Sequence, residues 1–259
     1  MSVVAVQPAI TYPGSKRRLV KHLLPLLGEH TAYVEPFAGS LAVLLAKERS
    51  TVEVVNDLNT DLVTFYRCVR FHRDALLYEM EFVLNSRVEF DEAAHQPGVT
   101  DLQRAARWFI RNRLSWGGKG ETFGYSRTSA GSGAASSRQM RMERIRALSA
   151  RLDRVTIECL DWRDVLRRYD APGTVFYCDP PYTVGLQYPV QAWQEDDHRA
   201  LREALGGLAG RWVLSYDDSP LVRELYGDCE VVSFDRPNGL ANIYGEVGRR
   251  YREVVITPR

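Results

Sequence analysis

An apolar run, Val175-Phe176-Tyr177-Cys178, is cut off by two consecutive prolines in Asp179-Pro180-Pro181-Tyr182. Four apolar residues in a row read as a strand covered on both faces. Proline has no amide hydrogen and a fixed φ, so a strand ladder cannot pass through Pro180-Pro181. The chain is held instead in a rigid turn at the strand's end. That turn brings together one carboxylate, free backbone carbonyls and one aromatic ring. The set suits a planar ligand carrying an amino group: Asp179 and the Pro180 carbonyl accept its hydrogens, and Tyr182 stacks on its face.

The rest of the chain supplies a sheet for such a strand. Thr31–Val34 reads as a short strand ending at Glu35-Pro36-Phe37-Ala38-Gly39-Ser40, with an apolar helix expected over Leu41–Ala46. Val52–Val55 reads as a second strand, ending at Asn56-Asp57, and Leu62–Leu84 has helical spacing. Strand–helix units in succession indicate an α/β sheet, whose ligands bind beyond the C-terminal strand ends. Ser15–Leu27 is expected to form a first helix, with Pro25 threatening its last turn. The pattern returns with strands at Val155–Leu160, Trp212–Ser215, Val231–Phe234 and Glu253–Thr257, and with a helix capped by Asp197 and running to Leu208. Asp57 can hold a ribose hydroxyl pair in such a sheet, or cap the helix that begins near Thr60. There is no complete GxGxxG, so a dinucleotide fingerprint is absent.

The middle breaks this rhythm. Asp101–Leu114 and Arg138–Leu152 have helical spacing, the glycines at 117, 118, 120 and 124 mark an irregular loop, and Ser126–Ser137 is expected to be mobile. The formal net charge of the whole chain is only +1, but residues 104–154 hold twelve basic against three acidic residues. Their net +9 leaves the rest near −8, and eleven of the twelve are arginines. Arginine's planar donor fork suits phosphates and guanine edges. Trp108, Phe109, Trp116, Phe123 and Tyr125 interleave with the charge, which points to a local polyanion-binding face. The alternative is a solvated helix face.

Other classes are set aside. No apolar run approaches the roughly 20 residues of a membrane span. The first residues lack the pattern of a secretory signal, so a cytoplasmic protein is expected. Cys68, Cys159, Cys178 and Cys229 form no CxxC pair and are expected to be small core residues. Asp217-Asp218 reads as a turn rather than a metal pair, and His198 is not assigned a catalytic role.

Four blocks in order resemble the Dam-like, D12 class of DNA adenine-N6 methyltransferases. They are Tyr12-Pro13-Gly14-Ser15-Lys16, Glu35 to Ser40, Asn56-Asp57-Leu58-Asn59, and Asp179 to Tyr182. The resemblance implies a doubly wound, Rossmann-like α/β sheet dependent on S-adenosyl-L-methionine. Its catalytic domain spans residues 1–61 and 155–259, and residues 62–154 are an inserted, mainly helical target-recognition region. Tyr12 and Lys16 match the motif beside the methionine end of the cofactor, and Phe37, Ala38 and Gly39 match the loop around it. Asp57 matches the ribose ligand, and Asp161 the acidic residue near the adenine. Asp179, Pro180, Pro181 and Tyr182 match the catalytic motif. Arg111-Asn112-Arg113-Leu114 and Gly120-Glu121-Thr122-Phe123-Gly124 resemble a family segment that precedes the DNA-reading elements. Two departures stand out: the usual double glycine of the first motif is Gly14-Ser15, and Leu41 replaces the second glycine of the cofactor loop.

What the resemblance implies is methyl transfer to adenine N6 of double-stranded DNA, on a base flipped out of the stack. It needs neither a metal nor a cysteine nucleophile. Arg111, Arg113, Lys119, Arg138, Arg141 and Arg144 are the candidate DNA contacts, and a monomer in a prokaryotic cell or phage-infected host is the default. Cytosine-N4 methylation, RNA adenine-N6 methylation, and a catalytically inactive DNA-binding protein of the same fold are the alternatives.

Overall fold

The computed structural model describes residues 6–81, 83, 85–124, 137–183, 193–237 and 250–259. In chain order its elements begin with α1 (Val20–Leu23), β1 (Ala32–Glu35), β2 (Val52–Asn56), α2 (Thr60–Phe71), α3 (Arg73–Glu81), α4 (Arg87–His95) and α5 (Asp101–Leu114). They continue with α6 (Arg138–Leu152), β3 (Thr156–Glu158), α7 (Trp162–Tyr169), β4 (Thr174–Cys178), α8 (Glu195–Gly206), β5 (Arg211–Asp217), α9 (Pro220–Leu225), β6 (Glu230–Pro237) and β7 (Arg250–Thr257). The expected mobile stretch, apart from Ser137, lies outside the described residues.

The chain divides into two compact units. The second comprises His22–Phe37, Ser50–Asn56 and Leu160–Arg259. It holds six strands of a seven-stranded sheet, in the order β2-β1-β4-β5-β7-β6. Strands β2, β1, β4 and β5 are parallel, while β7 runs antiparallel between β5 and β6. Every residue of β4 is buried, because parallel neighbours flank it on both sides. Val34, Phe176 and Leu214 from three adjacent strands form the core with Trp162 and Val165 of α7, Leu201 and Leu205 of α8, and Val222 of α9. From β1 the chain proceeds to β2 on one side, whereas β4 lies on the other. In open α/β sheets such a reversal of strand order is where ligands bind, here beyond the C-terminal ends of β1 and β4.

The first unit comprises Met1–Lys21, Ala38–Arg49 and Asp57–Cys159. The five helices α2–α6 dominate it. Phe65 of α2 stacks on Phe109 of α5, with centroids 5.2 Å apart and planes 11° from parallel. Thr100 caps α5 in a box with Gln103. The unit also takes in the Tyr12–Lys16 and Ala38–Ser40 segments, so its limits run wider than the expected insertion at 62–154.

Several local expectations change. Ser15–Leu27 is a 3-10 turn, the four-residue α1 and a second 3-10 turn that starts beside Pro25, which cannot donate the bond needed to extend α1. Leu41–Ala46 forms successive turns rather than a helix, since Leu41 has φ +58° and cannot open one. Leu62–Leu84 is broken at His72 into α2 and α3. The strand expected at Val155–Leu160 shortens to the three residues of β3. Asp197 sits in the first turn of α8, not at its cap: Gln194 is the cap residue, and its amide donates to Asp197 Oδ2 at 3.0 Å. That helix stops at Gly206. Cys159 is exposed, whereas the other three cysteines are buried.

Candidate active site

In the first unit, four segments meet around Gly39. Its φ is +46°, and a Cβ there would lie 3.3 Å from the Tyr12 ring, so the position favours glycine on both counts. The Gly39 amide donates to Asp57 Oδ2 at 3.0 Å, and the Tyr66 hydroxyl donates to the Gly39 carbonyl at 2.5 Å. Ser15 and Ser40 share a hydrogen bond of 2.8 Å, so the serine standing where a second glycine is usual braces the neighbouring loop. Lys16 is buried, and its Nζ donates to the Gly14 carbonyl at 2.6 Å.

Asp57 does not cap α2. Asn59 does, accepting from the amides of Asp61 and Leu62 at 3.1 and 3.2 Å. The Asp57 carboxylate instead takes the Asn59 amide at 2.9 Å along with that of Gly39. Burial raises its pKa above the usual carboxylate value, and the amides of Asn59, Gly39 and Leu58 partly oppose that rise. Leu41, where the second glycine is missing, keeps the left-handed backbone of a glycine while its side chain is fully buried.

In the second unit, the ends of β1 and β4 carry the remaining residues. Phe37 follows β1, and its ring lies 6.4 Å from Trp162 and 5.6 Å from Trp193, which are themselves 5.9 Å apart. Asp161 caps α7 by accepting from the Arg163 amide at 2.8 Å, and Arg163 covers the Trp162 ring at 4.4 Å. Asn56 ties this end together, donating to Pro36 O at 2.9 Å and to Leu160 O at 3.0 Å, and accepting from Leu160 N at 2.8 Å. Trp162 is buried, so the half-buried Phe37 and Trp193 are the rings of this group that a flat heterocycle can reach.

Asp179 and Tyr182, at the end of β4, are half-buried, and Pro180 between them is buried. Two residues outside the motif hold the turn. The Tyr182 hydroxyl donates to Glu253 Oε1 on β7 at 3.0 Å. Asp217, the last residue of β5, accepts from the Thr183 amide at 2.8 Å and from its hydroxyl at 2.5 Å. Asp217 therefore holds the site's turn, and its carbonyl accepts from the Ser219 amide at 3.0 Å across the turn expected at Asp217-Asp218. Tyr182 also lies 5.9 Å from the ring of Tyr216, whose hydroxyl bonds His198 Nδ1. Burial lowers the pKa of His198, which serves as a packed partner. Cys178 is buried in the strand and its thiol pKa is raised, mainly by burial. No group of three or more potential metal ligands occurs among the described residues.

The six candidate DNA contacts separate. Lys119 and Arg138 are exposed, and Arg138 donates to the Glu81 carbonyl at 2.6 Å. Arg144 and Arg111 are half-buried, with Arg111 donating to Gly120 O at 2.8 Å. Arg113 and Arg141 are buried, donating to Thr11 Oγ1 at 2.9 Å and Asn85 Oδ1 at 2.6 Å. Burial, reinforced by Arg144 and Arg141, lowers the Arg113 pKa to about 10. A helical arginine count cannot distinguish these inward guanidiniums from outward ones. Tyr66 and Glu253 also escape sequence reading. Tyr66 looks like one more apolar position of α2, and the only hint for Glu253 is a charge leading an apolar strand.

The chain is similar to known proteins over most of its length. Residues 12–239 match the family model of the D12 class N6 adenine-specific DNA methyltransferases. The retron Ec67 DNA adenine methylase of Escherichia coli is 27% identical over 84% of this chain and 79% of its own length. The type II methyltransferase M1.LlaDCHI of Lactococcus lactis subsp. cremoris is 24% identical over 91% and 90%. The DNA adenine methylase of Serratia marcescens is 25% identical over 67% and 66%. With the family model covering most of its length, this chain belongs to the D12 class of N6 adenine-specific DNA methyltransferases.

Proposed function

We propose that the chain methylates adenine N6 in duplex DNA, with S-adenosyl-L-methionine as donor and the target base turned out of the stack. The observation that carries this is the turn after β4: a half-buried carboxylate and a half-buried aromatic ring at the two ends of a diproline, the ring anchored to Glu253 and the next residue to Asp217. The donor set of the first unit suits the cofactor. Tyr12, Lys16, Ala38 and Gly39 offer an aromatic face, a buried cation and a glycine loop, and Asp57 offers a carboxylate for a diol. In the second unit, Phe37 and Asp161 offer a ring and an acid for an adenine. When bound, S-adenosyl-L-methionine supplies an electrophilic sulfonium methyl.

The chain's own work is orientation. Tyr182 stacks on the extruded base. Asp179 and the Pro180 carbonyl accept the two amino hydrogens, which turns the nitrogen lone pair out of conjugation with the ring and stabilises the positive charge that develops on it. The catalytic domain of this reading is 1–61 with 155–259, and 62–154 is the target-recognition region. Within that region Lys119, Arg138 and Arg144 offer charge to phosphates, while Arg111, Arg113 and Arg141 brace the loop and helices that present it. The setting is the cytoplasm of a prokaryotic cell or infected host, with a monomer acting on DNA.

The test is transfer of labelled methyl from S-adenosyl-L-methionine to unmethylated duplex DNA, followed by nucleoside analysis. N6-methyladenine that disappears in Asp179→Ala supports the reading. N4-methylcytosine, label in RNA alone, or cofactor binding without transfer would each replace it with one of the alternatives.

A further inference from the structure

The segment that carries Tyr12 is held by α5 and the glycine loop. Asn112, buried near the end of α5, treats the backbone of Thr11 as a strand partner would. Its Oδ1 accepts from the Thr11 amide at 3.0 Å and its Nδ2 donates to the Thr11 carbonyl at 2.6 Å. The same Nδ2 donates to Gly118 O at 2.9 Å, so one amide satisfies both polar groups of Thr11 and one of the loop. Arg113 adds a bond to Thr11 Oγ1 at 2.9 Å. The loop is closed on itself as well: Gly120 N donates to Ser115 Oγ at 2.8 Å, and Ser115 Oγ donates to Asn112 O at 3.2 Å. Gly118 has φ +76°, and a Cβ on it would stand 2.8 Å from the Thr11 carbonyl carbon. The loop thus approaches Thr11 as closely as a glycine allows. The next residue, Tyr12, lays its ring against Gly39.

We infer that Asn112 is a positioning residue for cofactor binding: it fixes the backbone at Thr11, and thereby the Tyr12 ring over Gly39, from inside the target-recognition region. This rests on the proposed function, since it takes Tyr12 and Gly39 as cofactor contacts. Asn112 touches no reacting atom. Its effect is to remove the freedom of an N-terminal segment before the cofactor arrives, which lowers the entropy lost on binding.

The experiment uses the full chain and two variants that leave Tyr12, Lys16, Gly39 and Asp57 in place. Asn112→Asp sets a carboxylate oxygen against two carbonyls. Gly118→Ala keeps every polar group, pushes a Cβ against Thr11 and strains the left-handed backbone of its own loop. Binding of S-adenosyl-L-homocysteine is measured by calorimetry without DNA, and KM for S-adenosyl-L-methionine and kcat are measured with DNA. Loss of one or two such hydrogen bonds weakens binding by about tenfold. Asn112→Asp is expected to raise both Kd and KM by about that factor, and Gly118→Ala, which displaces Thr11, to raise both in the same direction, with kcat at saturating cofactor within about twofold of wild type in each. A merely structural asparagine gives the opposite pattern: a lower melting temperature with unchanged Kd and KM. If wild type binds and folded Gly118→Ala binds equally well, the inference alone is overturned. If wild type binds no S-adenosyl-L-homocysteine, the functional reading falls and takes the inference with it.

Discussion

Leu41 allows a sharp test of how the proposed cofactor loop tolerates a missing glycine. Its side chain is fully buried, yet its φ of +58° is one that leucine rarely adopts. Two terms of opposite sign meet there. Truncating a fully buried leucine to alanine costs about 3–5 kcal/mol through the reduced burial and the cavity left behind. The left-handed backbone costs a residue bearing a Cβ about 1–2 kcal/mol, and glycine does not incur it. Leu41→Ala loses the packing and keeps the strain, so it should unfold about 3–5 kcal/mol more readily. Leu41→Gly loses the packing and the strain together. At an ordinary position glycine is about 0.5–1 kcal/mol less stable than alanine. At position 41 the order should close up or reverse, leaving Leu41→Gly level with Leu41→Ala or up to about 1 kcal/mol more stable. Urea unfolding of the three proteins, compared at equal m-values, measures this directly. A glycine variant that falls a full 1 kcal/mol or so below the alanine variant would show that position 41 carries no backbone strain. Leucine would then be a free substitute for the family's glycine.

Other outcomes follow from the same geometry. Because burial raises the Asp57 pKa above 3.8, its contribution to stability is fully present below that value and is lost as pH rises through the raised one. Cofactor affinity, which in the proposed reading uses the ionised Asp57 carboxylate, should move the other way and strengthen as pH rises through the raised value. Calorimetry against pH should show this slope in wild type and a flat line in Asp57→Asn. Glu253→Ala should lower kcat about as much as Tyr182→Phe, since each removes one end of the 3.0 Å bond. Kinetics of the double variant should then show little further loss, and additive losses would separate the two residues. Alanine at Lys119 and Arg138 together should flatten the dependence of log DNA affinity on log salt by about 0.9 for each phosphate that is no longer neutralised. An unchanged slope would place the phosphate-binding cations elsewhere.

The sequence alone determined the features that depend on neighbours along the chain. The diproline ends β4 where it does because proline cannot enter a ladder, and the apolar run before it is the fully buried strand. The alternation of strands and helices specified an α/β sheet, and the arginine-rich middle indicated a region of different character. Backbone conformation and side-chain direction were not legible. Leu41 lies in an apolar stretch that looks helical, and only packing forces the backbone that forbids the helix. Arg113 and Arg141 share the composition of Lys119 and Arg138 but point inward, because α5 and α6 bury that face against their own unit. Glu253 and Asp217 reach the Asp179–Tyr182 turn from strands far along the chain, paired side by side by the sheet. Such partners are set by strand order and register. These are properties of the folded sheet that no local window of residues contains.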